Sequence, residues 1–518
     1  MLSQLPFGWL PGVGLLVALL VVWICIQPSG RTRRLPPGPK PLPLIGNALD
    51  FPSKDLGQAF RDMTLKYGEL VYLNVVGQPM VILGTHEAAV ELFEKRSAIY
   101  SDRNESTMVS LTGWEWLMTT LSYGPWWRRH RRAFHQFFTP TALEPYGPMQ
   151  ELEAHRLAYR LVKDPEHFLT HIRRMFASSI ARFTYGVEIP EDDDEYLVMA
   201  EEALESFNQA FIPGKYLVET FPVLRFLPSW FPGAKFQREA KVWKPRVHKL
   251  RDVPWEQALK SIREGTAPPS MTADLMQRVS RYSGAERAEE EVIARNVAAV
   301  AYAAGADTTL SAIQSFFLGM ASFPEVQRKA REELDAVVGP HRLPTLADRE
   351  SLPYLEAVTK ECLRWKTVAP VGLPHRSTED DEYQGYLIPK GTLVVANMWW
   401  YSHDPERFPE PDVFQPERFL KNGRIDPDAQ NPADIAFGYG RRICPGRHFA
   451  DASLFLSVAT ILHTLSITAP LGIDGQPVKL EGKMTTGVIS YPEAFTVDIK
   501  PRGSWAEALL EESWQASH

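Results

Sequence analysis

Near its C-terminus the chain reads Phe437-Gly438-Tyr439-Gly440-Arg441-Arg442-Ile443-Cys444-Pro445-Gly446. A cysteine that binds a metal does so as the thiolate, and backbone amides brought close to the sulfur temper its charge. Gly440 and Gly446 allow that approach, because a residue without Cβ lets the backbone close in. Arg442 stands two residues before the sulfur and offers a planar guanidinium that matches a carboxylate. Phe437, Gly440, Arg442, Cys444 and Gly446 together suit a thiolate ligand to haem iron, with the arginine on a haem propionate. The competing reading is a buried structural cysteine beside a glycine-rich turn.

Other chemistry-bearing residues lie upstream. Trp127 and Arg131 are four apart in Tyr123-Gly124-Pro125-Trp126-Trp127-Arg128-Arg129-His130-Arg131. On a helix that spacing puts an indole donor and a guanidinium on one face, where both can reach a propionate. Arg128, Arg129 and Arg132 suit either a cationic docking face for an acidic electron donor or a solvated helix face. Ala304-Gly305-Ala306-Asp307-Thr308-Thr309 interrupts an alanine-rich helical run. Its glycine weakens the helix, and a threonine hydroxyl can take over a backbone bond. Glu361 and Arg364 share one face at i,i+3 spacing, which in isolation is an ordinary ion pair.

These residues need helices to carry them, and the pattern from about 125 to 370 is mainly helical. Apolar residues recur at three- and four-residue spacing over 291–317 and 324–337. Short β-prone runs at 70–76 and 80–83, split by Gly77-Gln78-Pro79, predict a hairpin. The runs 386–388 and 392–396, split by Pro389-Lys390-Gly391, predict a second strand pair.

With three cysteines among 518 residues, a disulfide scaffold and a four-cysteine zinc site are excluded. The net charge of −7 gives no reason to propose a nucleic-acid surface, which would need a basic patch. Charged residues at 23% and aromatics at 11% fit a folded body with a sizeable core rather than long disorder. Residues 7–26 form a nearly unbroken apolar run, and the first charged side chain is Arg31. Twenty residues at about 1.5 Å rise span roughly 30 Å, a bilayer core. A cleaved signal peptide would carry a basic flank before such a run. Here Arg31, Arg33, Arg34 and Lys40 follow it, which predicts a single-pass anchor with the body on the cytoplasmic side. The expected organisation is an anchor over 7–26, a basic, Pro-rich hinge over 27–49 and one catalytic domain over 50–518. A stiff, extended spacer is the reading favoured for the Pro-rich stretch over a protein-binding ligand. Asn104-Glu105-Ser106 matches a glycosylation sequon, expected to stay unmodified on a cytoplasmic body.

The cysteine segment resembles the haem-binding loop of the cytochrome P450 superfamily, and its companions stand in that family's order. Glu361-Cys362-Leu363-Arg364 resembles the Glu-x-x-Arg element, and Arg418 in Pro416-Glu417-Arg418-Phe419 would complete a Glu–Arg–Arg network bracing the haem loop. Trp127 and Arg131 match the family's Trp-x-x-x-Arg element. In Pro374-His375-Arg376 His375 fits a propionate contact better than Arg376. The resemblance puts Asp307 and Thr308 over the distal face of haem b, with Thr308 holding dioxygen and water and Asp307 relaying protons.

It implies a mainly α fold with small β-sheets behind a transmembrane helix, with Cys444 as the axial ligand that pushes electron density into iron and favours O–O cleavage. The implied activity is a membrane-anchored haem-thiolate monooxygenase of the endoplasmic reticulum, acting on O2 and a lipophilic small molecule, and similar to fungal enzymes of secondary metabolism. Terpenoid and aromatic substrates are both expected possibilities. No flavin or nicotinamide fingerprint occurs in the chain, so electrons from NADPH are expected through an NADPH–cytochrome P450 reductase. The alternatives are a haem-thiolate isomerase or dehydratase that needs no redox partner, and a non-enzymatic haem protein. By the same resemblance the pocket walls fall near 101–120, 204–212, 296–305, 368–373 and 485–489. Residues 221–236, unusually apolar for a Pro-broken loop, are expected either to dip into the membrane interface or to pack as a core connector.

Overall fold

The computed structural model describes residues 34–191, 195–212 and 214–517. The apolar run at 7–26 lies outside them, and among the described residues no helix is long and apolar enough to cross a membrane. The described part of the Pro-rich stretch is tied along the first strand instead of standing off as a spacer. Tyr72 N donates to Pro37 O at 2.8 Å and Asn47 N to Asn74 O at 2.6 Å. A Cβ on Gly38 would meet Tyr72 O at 2.0 Å, so only glycine lets the two backbones lie this close.

Twelve helices and eight strands suffice to describe what positions the site. The helices before the interruption are α1 (Leu56–Tyr67), α2 (Pro125–His135), α3 (Gly147–Lys163), α4 (Phe168–Tyr185), α5 (Glu195–Ala210), α6 (Lys235–Glu264) and α7 (Gly284–Gly305). After it come α8 (Thr308–Ser322), α9 (Pro324–Val337), α10 (Pro353–Trp365), α11 (Arg447–Thr464) and α12 (Ser504–Ala516). The strands are β1 (Leu70–Val75), β2 (Gln78–Leu83), β3 (His375–Arg376), β4 (Asp381–Tyr383), β5 (Tyr386–Ile388), β6 (Leu393–Ala396), β7 (Leu465–Thr468) and β8 (Asp498–Pro501). The fold is therefore mainly helical with small sheets.

The first hairpin forms with a tighter turn than expected. Val75 pairs with Gln78, and the turn is Val76-Gly77, both at positive φ, as a two-residue hairpin turn requires. The second expected pairing is corrected. β5 pairs with β4, whereas β6 lies parallel to β2 and antiparallel to β3 in a sheet ordered β1-β2-β6-β3. Local β-propensity marks the strands but does not choose their partners; all four β6 residues are buried, so this strand goes to the sheet interior.

Two apolar cores flank the site. One gathers α7 with side chains from α2, α4, α5 and α6, among them Phe134, Phe183, Val297 and Trp255. The other joins α3, α4, α8, α10 and α11 through Leu157, Phe176, Phe316, Val358 and Leu462. The helical expectation over 291–317 is met by two helices with a break between them. α7 ends at Gly305, Asp307 has φ −123° and ψ −44°, and α8 starts at Thr308. Thr308 Oγ1 donates to Ala304 O at 2.9 Å. A Cβ on Gly305 would come within 2.7 Å of Ile180 Cγ1 on α4, so the glycine is also a packing requirement. At the far end α12 is clamped to α3 by Trp514 stacked on Tyr159 at 4.4 Å and by a 3.0 Å Lys163–Glu511 ion pair.

Candidate active site

One interior cavity of about 350 Å³ brings together Trp127, Arg131, His375, Arg442, Cys444, Asp307 and Thr308, a size within the ordinary range for small-molecule sites. Cys444 sits just before α11. Its N–H donates to Phe437 O at 2.7 Å, which closes the loop on itself. Burial pushes its thiol up from the ordinary value, opposed by the Gly446 amide and by the charges of Arg131 and Arg447. A bound metal ion removes such a proton outright. Gly446 therefore does what its position suggests, with its amide on the sulfur. Gly440 does something else: it has φ +54°, and a Cβ there would lie 2.0 Å from Phe93 O. It lets the loop press against the segment Glu91–Lys95, not against the sulfur.

The rim of the cavity holds an excess of positive charge. Arg131 on α2 donates to Ile443 O at 2.7 Å. Arg442 donates to Ser101 O and Leu121 O, both at 2.8 Å, and lies over the Trp127 ring at 4.4 Å. Arg103 joins them, donating to Leu373 O at 2.6 Å and Pro374 O at 2.7 Å. Sequence reasoning missed it, because one arginine in Ser101-Asp102-Arg103-Asn104 reads as a solvated loop residue. Burial pushes Arg103 down to about 9 and Arg442 to about 10. Among the described residues none of the three forms an ion pair with a carboxylate; their partners are backbone carbonyls. The Asp102 charge offsets Arg103 and Arg442 only in part; the remaining positive charge is costly where it is buried, and an anionic ligand would relieve it.

His375 on β3 completes the rim. Its Nδ1–H donates to Tyr100 O at 2.6 Å and its ring stacks on Phe93 at 4.0 Å, leaving Nε2 for a ligand. Burial, then Arg103 and Arg442, push it well below the usual histidine range. Arg376 does not line the cavity. The cysteine sulfur, the arginines and His375 would thus suit a metal-bearing group that carries carboxylates.

The α7–α8 break also lines the cavity, through Ala304, Gly305, Asp307 and Thr308. Burial raises the Asp307 carboxyl above the usual range, opposed by a hydrogen bond from Tyr491 and by Arg173. The rest of this side is apolar. Each of the five stretches expected to form it contributes, with Trp114, Phe207, Val300, Val368 and Ile489 as examples, and Ile180 on α4 adds a sixth.

Glu361, Arg364 and Arg418 do not line the cavity; they lie behind it. Glu361 and Arg364 are both fully buried and joined by two bonds, Nε to Oε2 at 2.7 Å and Nη2 to Oε1 at 2.8 Å. Arg418 Nε reaches Glu361 Oε1 at 3.3 Å, and Gln415 N donates to the same oxygen at 2.8 Å. Arg364 also donates to Ser402 O at 2.9 Å. The pair is a buried, bidentate network, unlike an exposed i,i+3 pair. Of the basic residues on α2, Arg129 is committed to Glu289 and Glu290 on α7, at 2.7 Å each, which takes it out of any docking face.

The family model for cytochrome P450 matches residues 36–492. A cytochrome P450 monooxygenase of Coprinopsis cinerea is 41% identical over 95% of this chain and 94% of its own length. One from Postia placenta is 41% identical over 96% of each chain. A tryptamine 4-monooxygenase of Psilocybe cyanescens is 39% identical over 94% of this chain and 97% of its own. The chain belongs to the cytochrome P450 family and is an enzyme of its monooxygenase kind, which implies haem iron as the cofactor.

Proposed function

We propose that this cytochrome P450 oxidises a lipophilic small molecule in fungal secondary metabolism, using O2 and electrons passed from NADPH by a membrane-bound NADPH–cytochrome P450 reductase. The observation that carries the reading is the cavity itself, which Cys444, the Asp307–Thr308 break and the arginines Arg103, Arg131 and Arg442 line together. Haem b held there supplies the oxygen-activating redox chemistry. Cys444 would ligate its iron, and Trp127, Arg103, Arg131, His375 and Arg442 would hold its propionates. The Glu361–Arg364–Arg418 network keeps the backbone behind the loop in one geometry.

Two residues handle protons. The Thr308 hydroxyl gives its own proton to Ala304 O, so its lone pairs remain to accept from a water in the cavity. The buried Asp307 carboxyl keeps its proton to higher pH than a solvated one, which suits an acid working near neutrality. The apolar walls exclude water and favour an uncharged or weakly polar substrate, terpenoid or aromatic. That one relative is named a tryptamine 4-monooxygenase supports the aromatic choice. Reductase-supplied membranes fed candidate substrates are expected to form a product carrying one added oxygen only when NADPH is present. Turnover that proceeds without NADPH would favour a haem-thiolate isomerase or dehydratase instead.

The 7–26 run would anchor the enzyme in the endoplasmic reticulum with its body in the cytoplasm. Residues 221–236 support a second membrane contact, since Phe226 is 79% and Trp230 78% exposed where a core connector would be buried. Such aromatic side chains favour the bilayer interface. A chain lacking residues 1–33 is expected to keep binding liposomes, and Phe226→Ser with Trp230→Ser to release it. Complete solubility of the truncated chain would refute the loop contact.

A further inference from the structure

A short helix, Thr107–Thr112, carries the chain toward the cavity from outside. Its first turn is held twice. Ser106 Oγ accepts from Val109 N at 3.1 Å, while Glu219 accepts from Met108 N at 2.6 Å and from the Ser106 hydroxyl at 3.0 Å. Gly113 ends the helix at φ +85°, a conformation that a side chain would strain. The turn delivers Trp114 to the interior, where it is fully buried and its backbone N–H donates to Val109 O at 2.9 Å. Ser206 on α5 receives the indole. Trp114 Nε1–H donates to Ser206 Oγ at 3.0 Å, and the Ser206 hydroxyl gives its own proton to Ala203 O at 2.5 Å.

The indole is thus fixed in one orientation, and its ring meets that of Phe207 edge-on. The two centroids lie 5.6 Å apart with the planes at 73°, an arrangement that the ring quadrupoles favour. Phe207 also rests against Phe211 at 4.4 Å. Trp114 and Phe207 both line the cavity, but Trp114 is enclosed whereas Phe207 is half-buried. The surface offered to a ligand is therefore the Phe207 ring, with Leu204 one turn earlier on α5 beside it. With the indole N–H and the Ser206 hydroxyl both engaged, this stretch of wall presents a ring and offers no side-chain hydrogen bond.

We propose that Phe207 is a specificity-determining residue that receives an aromatic group of the substrate, and that Trp114 is the positioning residue that fixes its ring. The proposal rests on the monooxygenase reading above and narrows its substrate class to aromatic compounds. An aliphatic group gains only burial against Phe207. A planar ring gains in addition an offset or edge-to-face contact, which is about two- to tenfold in affinity.

The test uses the full-length, haem-loaded chain and N-substituted imidazoles, whose free nitrogen binds haem iron and shifts its absorption band. Matched pairs carry a phenyl or a cyclohexyl group on the same methylene chain, in a series of increasing chain length. The ratio of dissociation constants within a pair removes the strength of the iron bond. Phe207→Leu is expected to shift that ratio toward the cyclohexyl member by about two- to tenfold at one chain length or more. Trp114→Phe keeps a ring, loses the bond to Ser206 and is expected to shift it the same way by less. Imidazole itself, which has no side arm, is expected to bind all three proteins alike. A ratio unmoved by Phe207→Leu at every chain length, in protein that still binds imidazole, would overturn the proposal. A ratio moved by Phe207→Leu but not by Trp114→Phe would overturn the part given to Trp114. Absence of a thiolate-haem spectrum in the unmodified chain would instead defeat the monooxygenase reading on which the proposal rests.

Discussion

Glu361→Ala is expected to yield no stable haem-binding protein, the largest stability effect of any single substitution considered. Glu361 and Arg364 are both fully buried, and Arg418 shares the same carboxylate. Removing the carboxylate leaves two guanidinium groups facing each other with no counter-charge. It also orphans Gln415 N. Breaking one partner of a buried pair typically costs about 3–5 kcal/mol, a large part of the roughly 5–15 kcal/mol that holds a domain folded. Glu361→Gln keeps the shape and one acceptor, and should fall between alanine and the unmodified residue. Arg364→Lys keeps the charge but loses the fork that binds both carboxylate oxygens and Ser402 O, so it should not rescue. Thermal midpoints and haem content after purification measure all three. A Glu361→Ala protein that melts where the unmodified one does would show that the network is dispensable.

Thr308→Val is expected to cost activity rather than stability. Valine matches threonine in shape, and the lost bond to Ala304 O is worth only about 0.5–1.5 kcal/mol. The missing hydroxyl, however, removes the acceptor proposed to hold a water in the cavity. A positioned acid or base typically contributes about 10²–10⁴ in rate. Product formed per NADPH should therefore fall at least about tenfold, while NADPH oxidation continues and the electrons appear as hydrogen peroxide. Asp307→Asn should slow NADPH oxidation itself, because the amide fills the site but donates no acidic proton. If Thr308→Val turns substrate over with unchanged yield per NADPH, the hydroxyl has no part in proton handling.

Local spacing carried much of this site, and for a physical reason. Helix periodicity puts Trp127 and Arg131, and Glu361 and Arg364, on common faces whatever the rest of the chain does. The break at 305–308 likewise follows from local chemistry, a glycine and a threonine hydroxyl that takes the Ala304 carbonyl. Contacts between distant segments were not legible. Nothing near Gly440 in sequence says that its backbone meets Phe93 O, nor that Arg103 turns inward onto the carbonyls of Leu373 and Pro374. The same holds for β6, whose Leu393 pairs with Met80 on β2 far earlier in the chain rather than with the neighbouring β5. Residues 7–26 remain legible from composition alone.

Whether Cys444 is the sulfur that binds haem iron is decided by one absorption spectrum, taken on the reduced, carbon-monoxide-treated full-length protein. A thiolate-haem band is expected in the unmodified chain and none in Cys444→Ala. An unmodified chain that retains no haem, or a Cys444→Ala variant that keeps the thiolate band, would overturn the assignment of this cavity as the catalytic centre.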